Sequence, residues 1–465
     1  MNKRKNYRPM SVITMGCRVN QFETELLRHG GFERGFYIAK DIDDVELIIV
    51  NTCSVTSESD RQARQLIRRA AKDNPQAKIV VTGCYAQRTP EILSQLPQVA
   101  LVLGNQEKSE LWSYVDTLYH ANGKEEVHTP HGDGAKSDID AEGSNTTIHV
   151  GKISELEMVP SRPVVDTFSD RARAFLQLQD GCDRSCTYCL IPSVRGPSRS
   201  LTSEQILAQA ERFVASGFNE LVLTGIDLGS YGLDLSPAIS LADIISKILN
   251  IPGVGRIRLS SIDPADIDDK LLDLLASEDK ICAYLHLSIQ SGDDMILKRM
   301  GRRSDSRGTL DKIKQIKKAR PQTEVGADLI VGFPTESDEA FQNSLKLVEE
   351  GRLVFLHIFR YSDRPGTPAA KIPSNFRVSG VEAKKRSEIL RKAGETNLSL
   401  AALDRFGQTD LVLIESIEGG FATGKTDSFL PVKFAVKGGE KVGELMKIRL
   451  KSFDSINSHL GGVVQ

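Results

Sequence analysis

Short apolar runs alternate with longer stretches of helical periodicity along most of the chain. Near the N-terminus the runs cover residues 11–15, 46–51 and 78–82, and each is followed by a helical pattern. A run of this length predicts a buried strand, and apolar residues three or four positions apart predict a helix. Because strands that alternate with helices form parallel sheets, this region is predicted to be an α/β domain with a doubly wound parallel sheet.

The same alternation resumes near residue 171 and continues through six strand-helix units, or nearly so. It predicts a second parallel sheet, again with its ligand-binding edge at the carboxyl ends of the strands. The six predicted strands cover residues 174–178, 220–224, 256–260, 284–289, 325–331 and 353–359.

The last part of the chain changes to a strand-like period. Residues 409–415, 431–436 and 445–450 alternate or nearly alternate, and glycine-rich turns separate them, which predicts a small β-barrel. Residues 121–165 are polar and lack a sustained period, which predicts a linker. The predicted organisation is an N-terminal domain at 8–120, the linker, a central domain at 168–400 and a β domain at 404–465.

Composition limits the class of protein. With 465 residues, of which 40% are hydrophobic and 26% charged, the chain has the composition of a soluble globular protein. The apolar runs are too short to span a bilayer, and the run at 12–15 is too short for a secretion signal, so we expect a cytoplasmic protein without membrane contact. A net charge of −2 excludes a globally basic nucleic-acid binder, so RNA contacts would need local patches.

Three cysteines lie close together in the segment that follows the run at 174–178. Cys182, Cys186 and Cys189 have the spacing CxxxCxxC. Three thiolates on one loop can bind three irons of a cubane cluster and leave the fourth iron open to a ligand. The alternative is a structural zinc loop, but zinc usually takes four ligands in two pairs, and no second pair lies nearby.

Three further cysteines follow the three N-terminal strands. Cys17, Cys53 and Cys84 each come shortly after a predicted strand, so all three are expected at one edge of the sheet. Three thiolates at that edge predict a second cluster site, whereas each cysteine taken alone is better explained as a buried, inert thiol. Cys282 is the remaining cysteine and is expected to be a small buried hydrophobe.

The sequence around both cysteine sets resembles the radical S-adenosylmethionine (SAM) methylthiotransferases. The resemblance includes Tyr188 before the last cysteine of the loop, the flanks 179–182 and 190–196, and the segments around the N-terminal cysteines. It implies an open, partial (β/α)6 barrel for the central domain and two 4Fe-4S clusters. The loop cluster would bind SAM, which is cleaved to a 5′-deoxyadenosyl radical, and the N-terminal cluster would be auxiliary.

The family resemblance also implies the residues of a SAM pocket. Glycine-containing motifs follow the second, fourth and fifth strands of the central domain. Carried over to this sequence, Thr224 and Gly225 would contact the amino group, Gln290 the ribose, and Gly332 and Phe333 the adenine. Each motif taken singly is only a turn.

The implied activity is tRNA methylthiolation of the adenosine at position 37, just 3′ of the anticodon. The segment 17–21 resembles the subgroup that acts on N6-threonylcarbamoyladenosine, and Arg18 is a candidate to neutralise the threonyl carboxylate. The alternatives are methylthiolation of isopentenyladenosine in tRNA or of a ribosomal protein, and a non-catalytic iron-sulfur protein that binds RNA. The electron donor and the sulfur source stay open.

Two regions are candidates for tRNA contact. The C-terminal domain resembles the TRAM domain, an RNA-binding module, and its lysines at 425, 433, 437 and 447 are candidates for an RNA face. The helix predicted after Cys53 carries Arg61, Arg64 and Arg68, which we expect to contact phosphates. An ordinary solvated surface is the alternative for both regions.

Overall fold

The computed structural model describes residues 7–39, 44–120, 146–156, 158–160, 162–168, 171–454 and 459–464. The chain forms two compact units. The first comprises Met1–Val165, Asp180–Arg184 and Cys189–Arg199, and the second comprises Asp166–Gln179, Ser185–Tyr188 and Ser200–Gln465. Most of the predicted linker, 121–145, lies outside the described residues, and the four domain bounds stay a prediction.

The first unit contains a six-stranded sheet in the order β2-β1-β3-β4-β5-β6, in which every pair is parallel. Its strands are β1 (Arg8–Thr14), β2 (Phe36–Ile38), β3 (Leu47–Thr52), β4 (Lys78–Gly83), β5 (Val99–Leu103) and β6 (Thr147–His149). The helices are α1 (Arg18–Glu33), α2 (Ser57–Asp73), α3 (Cys84–Arg88), α4 (Pro90–Ser94), α5 (Leu111–His120) and α6 (Ile191–Arg195).

Helices cover both faces of this sheet. Ile48 and Val50 of β3 pack in one core with α2, whereas Leu47 and Ile49 of the same strand pack in a second core with α1 and α5. Successive strand residues point to opposite faces, so a strand covered on both sides is apolar throughout. The doubly wound sheet is therefore confirmed, and the continuous apolar runs are explained.

In the second unit all six predicted strands are present. They form two parallel sheets, β11-β10-β7 and β12-β13-β14-β15; β11 corresponds to the third predicted strand, and β12 is a further two-residue strand just beyond its predicted end. The partial six-unit barrel architecture is confirmed. The strands from β7 to β15 are Ala174–Gln177, Gln179–Asp180, Arg199–Ser200, Glu220–Thr224, Arg256–Leu259, Ser261–Ile262, Tyr284–Gln290, Glu324–Val331 and Val354–Arg360. The helices from α7 to α13 are Ser203–Ala215, Leu241–Leu249, Asp269–Ser277, Asp294–Met300, Ser306–Ala319, Asp338–Glu350 and Gly380–Asp404.

The C-terminal strands close into a barrel in the order β16-β17-β18-β20-β19. The small β-barrel is confirmed, with two strands more than the three that the period predicted. Its interior includes Val412, Val432, Phe434 and Ile448, all nearly inaccessible to solvent. The strands are β16 (Thr409–Glu418), β17 (Phe421–Lys425), β18 (Pro431–Ala435), β19 (Leu445–Asp454) and β20 (His459–Val464).

A buried ion cluster fastens this barrel to the parallel strands of the same unit. Glu220 is fully buried, and it accepts hydrogen bonds from Arg256 at 2.6 Å and from Arg258 at 2.9 Å. The two guanidinium groups also donate to carbonyl oxygens of Leu411 and Thr426 in the C-terminal barrel region.

Within the described residues, no helix is both long and apolar enough to cross a membrane.

Candidate functional site

The three N-terminal cysteines lie where adjacent parallel strands end. Cys17 precedes α1 after β1, Cys53 follows β3 directly, and Cys84 opens α3 after β4. Since β1, β3 and β4 are neighbours in the sheet, the predicted placement at one edge is what the structure has. We call these residues the N-terminal triad; their role as cluster ligands stays a prediction.

Close backbone packing brings this triad together. Gly16 has φ +94°, and a Cβ built on it would lie 2.6 Å from Cys53 Cβ and 2.7 Å from Cys53 Sγ. A larger residue at position 16 would therefore push the Cys17 loop away from Cys53, and L residues rarely adopt this φ. All seven cysteines are free thiols, so no disulfide competes for the triad.

The electrostatics of the triad favour a bound cation. Burial raises the pKa of Cys53 to about 12, and the charge of Cys84 raises it further in the same direction. Desolvation also raises the pKa of Cys17, although the residue is exposed, and Arg195 opposes that rise. Thiolates that repel one another in a poorly hydrated site are stabilised by a metal centre, which takes them in the deprotonated form.

The spacing of the triad fits a cluster better than a single ion. Among the described residues, the three sulfur atoms do not form a group lying entirely within 4.8 Å. Thiolates bound to one zinc ion at ~2.3 Å lie roughly 3.8 Å apart, whereas a cubane holds its ligands at separate irons. The residues present therefore suit an iron-sulfur cluster.

Asn20 holds the Cys17 loop in place. Its Nδ2 donates to the carbonyl oxygens of Met15 at 2.7 Å and Thr52 at 3.0 Å, which joins the loop to the end of β3. Its Oδ1 lies 3.8 Å from Cys17 Sγ. On the other side of the triad, Asn105 Nδ2 lies 3.8 Å from Cys84 Sγ. Sequence reasoning missed both asparagines as site residues, although Asn20 belongs to the segment that carried the resemblance.

A buried ion cluster in the first unit adjoins the triad. Arg195 is 1% exposed and donates to Glu23 Oε1 at 3.0 Å, Asp180 Oδ1 at 2.6 Å and Asn20 Oδ1 at 2.5 Å. Lys108 Nζ lies 2.6 Å from Glu23 Oε2. Burial disfavours the charge of Glu23, but Arg195 and Lys108 outweigh burial and hold its pKa well below the usual range.

The loop cysteines also accept hydrogen bonds. In the first unit the amide of Arg184 donates to Cys182 Sγ and the amide of Ile191 donates to Cys189 Sγ, each at 3.4 Å. In the second unit Arg302 Nη1 donates to Cys186 Sγ at 3.7 Å. N–H donors directed at sulfur stabilise thiolates and tune cluster potentials, so these contacts fit an iron-sulfur site. Sequence reasoning missed Arg302.

The predicted SAM residues all lie at strand carboxyl ends of the second unit. Thr224 ends β10 and Gly225 follows it, Gln290 ends β13, and Gly332 and Phe333 follow β14. Gln290 has φ +78°, an uncommon conformation for a residue with a side chain and one that often marks functional sites.

Two of these residues have side chains inside the protein core. Phe333 is fully buried, with Tyr188 against it edge-to-face at 6.5 Å between ring centroids, and Thr224 is 1% exposed. A ligand at this edge would therefore meet the backbone of residues 224 and 333 rather than their side chains. Gly332 donates its amide to Glu336 Oε2 at 2.7 Å, which fixes the turn.

The candidate RNA residues differ in their surroundings. On α2, Arg61 pairs with Glu58 at 2.5 Å, Arg64 donates to the Tyr85 hydroxyl at 2.5 Å, and Arg68 is exposed. Arg18 is half-buried at the start of α1, directly after Cys17. Phosphate or substrate contact by these arginines stays a prediction.

One of the four candidate lysines in the C-terminal barrel, Lys425, is half-buried. Lys425 Nζ lies 4.9 Å from the Phe429 ring centroid and 5.5 Å from that of Phe355. Burial lowers the pKa of Lys425 to about 8, and Arg173 and Arg258 lower it further. Lys433, Lys437 and Lys447 are exposed and form the remaining candidate face.

Two family models match the chain, and each covers one of the two cysteine sets. Residues 176–348 match the model of the radical SAM superfamily, and residues 9–104 match that of the uncharacterized protein family UPF0004. A radical S-adenosylmethionine methyltransferase, TsrM, from Kitasatospora setae has a similar fold, with a TM-score of 0.56 at 13% identity over 78% of this chain and 75% of that one. Fold and site together define a radical SAM protein with an additional N-terminal thiol site.

Similar proteins show to which family of radical SAM proteins the chain belongs. The threonylcarbamoyladenosine tRNA methylthiotransferase MtaB of Rickettsia prowazekii is 39% identical, over 92% of each chain. The protein of the same name from Bacillus subtilis is 34% identical over 94% of this chain and 92% of its own. The tRNA-2-methylthio-N(6)-dimethylallyladenosine synthase of Clostridium botulinum is 28% identical over 98% and 99%. This chain belongs to the radical SAM methylthiotransferase family.

Proposed function

We propose that this protein is a tRNA methylthiotransferase that converts N6-threonylcarbamoyladenosine at position 37 to its 2-methylthio derivative. The observation that carries the proposal is the presence of two separate thiol triads in a chain 39% identical, nearly end to end, to a methylthiotransferase named for that nucleoside. The dimethylallyladenosine synthase is less similar, at 28% identity.

The residues present suit two 4Fe-4S clusters and SAM. Cys182, Cys186 and Cys189 would hold one cluster, and the N-terminal triad would hold the other. When bound, these groups supply the radical chemistry needed to replace an unactivated aromatic C–H bond, which acid-base groups alone cannot do.

The chain's own residues would hold and orient the reactants. Asn20 and Arg195 keep the Cys17 loop at the sheet edge, so the auxiliary site has a fixed position. SAM would meet the backbone at Gly225 and Gly332, the glycines that follow β10 and β14. Arg302 places a positive charge beside Cys186.

The tRNA would bring the target base out of its loop. Bases next to the anticodon are in a single-stranded loop, where they can be splayed into an active site. Exposed lysines of the C-terminal barrel, Lys433, Lys437 and Lys447, would contact the phosphate backbone. Arg18, beside Cys17, would pair with the threonyl carboxylate.

The test is mass spectrometry of tRNA nucleosides. A bacterial strain that makes N6-threonylcarbamoyladenosine but lacks the 2-methylthio derivative would receive the wild-type chain or a Cys186→Ala control. We expect the methylthio nucleoside only with the wild-type chain. Methylthiolated isopentenyladenosine alone, or a modified ribosomal protein instead, would contradict the substrate assignment. The activity would be contradicted if the expressed protein contained both clusters and neither tRNA nor protein were modified.

A further inference from the structure

Two histidines and an aspartate meet on neighbouring strands of the second unit. His286 lies on β13, Asp328 on β14 and His357 on β15. One ligand atom from each side chain lies within 4.8 Å of the other two. None of the three residues belongs to the cysteine sets or to the predicted SAM pocket.

Strand register explains the grouping. Ser261 of β12 pairs with His286, His286 pairs with Gly326, and Asp328 pairs with His357. Gly326 and Asp328 are two positions apart and so share a face of the sheet. The face is therefore fixed by the hydrogen-bonded ladder of four parallel strands, and its geometry does not depend on flexible loops.

The distances are close to those of ligands around one ion. His286 Nε2 and His357 Nδ1 each lie 3.0 Å from Asp328 Oδ1. Zinc binds imidazole nitrogen at ~2.0–2.1 Å, so tetrahedral ligands lie roughly 3.3 Å apart. Small side-chain rotations would therefore bring the three atoms into a common coordination sphere.

Outer contacts orient the two inner ligands. The Tyr284 hydroxyl lies 2.8 Å from His286 Nδ1, and Ser261 Oγ donates to Asp328 Oδ2 at 3.1 Å. Such contacts fix the tautomer and the ring orientation of metal-binding histidines. A Cβ on Gly326 would lie 2.2 Å from the Tyr284 hydroxyl and 2.6 Å from His286 Nδ1, so the space for this pair requires a glycine.

The group is closed on one side and open on the other. The side chain of His286 is 3% exposed, that of Asp328 17% and that of His357 57%. Three protein ligands with one accessible side are typical of metal sites that keep a coordination position open. His286 and Asp328 precede Gln290 and Gly332 by four positions along the chain, which separates the group from the predicted SAM edge.

We propose that His286, Asp328 and His357 form a binding site for one divalent transition-metal ion, distinct from both predicted clusters. Two imidazoles and a carboxylate suit zinc, iron(II) or cobalt(II). The site goes beyond the proposed methylthiotransferase function and does not depend on it. The competing explanation is a hydrogen-bonded network of the same three side chains that binds no metal.

Zinc is the probe. The wild-type chain, anaerobically reconstituted with iron and sulfide until its iron content is constant, is dialysed against micromolar zinc, and both metals are measured per chain. We expect one zinc ion beyond the iron. Zinc-edge X-ray absorption should show nitrogen and oxygen ligands at ~2.0–2.1 Å and no sulfur at ~2.3 Å.

Variants locate the bound ion. His357→Ala, at an exposed position that should leave the fold intact, is expected to weaken zinc binding at least about tenfold with unchanged iron content. His29→Ala, a partly exposed histidine on α1, is the matched control and should bind zinc as the wild type does. No zinc, a sulfur-containing shell, or unchanged binding by His357→Ala would overturn the proposal.

Discussion

Arg195 donates a hydrogen bond to Asn20 Oδ1 at 2.5 Å. The contact joins the segment that follows Cys189 to the segment that follows Cys17, although the two residues are 175 positions apart. Because Asn20 also bonds to the end of β3, the guanidinium helps to hold the Cys17 loop of the N-terminal triad in place. The same guanidinium neutralises Glu23 and Asp180, so its loss would affect both the charge balance and the site.

Replacing Arg195 should destabilise the first unit strongly. Arg195→Ala leaves Asp180 without its 2.6 Å partner and removes from Glu23 the guanidinium that neutralises it together with Lys108, both in a buried environment. Breaking a buried ion pair costs about 3–5 kcal/mol, and we expect that loss in the free energy of unfolding measured by urea denaturation.

Arg69→Ala is the control for this change. Arg69 is 85% exposed and pairs with Asp73 at 3.4 Å, so its replacement should change stability by less than about 0.5 kcal/mol. Arg195→Lys should restore only part of the stability, since an ammonium cannot reproduce the guanidinium fork. Equal effects of Arg195→Ala and Arg69→Ala would show that the cluster contributes nothing.

The two triads should bind iron independently. Anaerobically reconstituted wild type should contain about eight irons, as two cubane clusters. Replacing Cys182, Cys186 and Cys189 together by alanine should reduce the iron content to about four atoms per chain. Replacing the three cysteines of the N-terminal triad should have the same effect. Loss of all iron in either triple variant, or a wild type that never exceeds four irons, would contradict two separate sites.

Arg18 should act through the threonyl group of the substrate. Arg18→Ala is expected to raise KM about tenfold or more for tRNA that carries threonylcarbamoyladenosine, because a hydrogen bond to a charged group contributes about 1.5–3 kcal/mol. Binding of the same tRNA without the threonylcarbamoyl group should hardly change, and Arg34→Ala on the C-terminal side of α1 serves as control. An equal loss of affinity for both tRNAs would mean that Arg18 contacts the tRNA backbone or supports the protein fold, and not the threonyl group.

The exposed barrel lysines should contribute salt-dependent affinity. The double change Lys433→Ala and Lys447→Ala should weaken tRNA binding and lower the slope of log K against log salt by about one per lysine. Lys314→Ala with Lys318→Ala, on exposed positions of α11, is the matched control. Filter binding at several salt concentrations measures the affinity and its salt dependence. If the barrel variant and the wild type gave identical slopes, the barrel face would not belong to the tRNA interface.

The sequence predicted the elements whose pattern is local. The apolar runs at 46–51 and 78–82 became β3 and β4 because both of their faces are buried. Strands β2 and β6 have three residues each, too few to show a period, and β20 contains Gly461 and Gly462, which weaken a strand pattern. These strands exist because neighbouring strands supply their hydrogen bonds, which no local pattern reveals.

The site was predictable only where its chemistry is marked by residue type. Cysteines after strands can be identified from spacing, whereas Glu23, Lys108 and Arg195 look like ordinary surface charges until their partners, 85 to 172 positions away, are known. The surroundings of Lys425 were hidden for the same reason, since the aromatic rings beside its ammonium group come from Phe355 and Phe429, and its contact with RNA stays a prediction.

The most direct test measures the contribution of each cysteine triad to the reaction with the substrate, under anaerobic conditions. Reduced wild type, SAM and tRNA carrying threonylcarbamoyladenosine should yield 5′-deoxyadenosine and the 2-methylthio nucleoside. Cys53→Ala should still release 5′-deoxyadenosine but form no methylthio nucleoside, and Cys186→Ala should form neither. A methylthio product from Cys53→Ala, or SAM cleavage by Cys186→Ala, would contradict the assignment of separate roles to the two thiol sites.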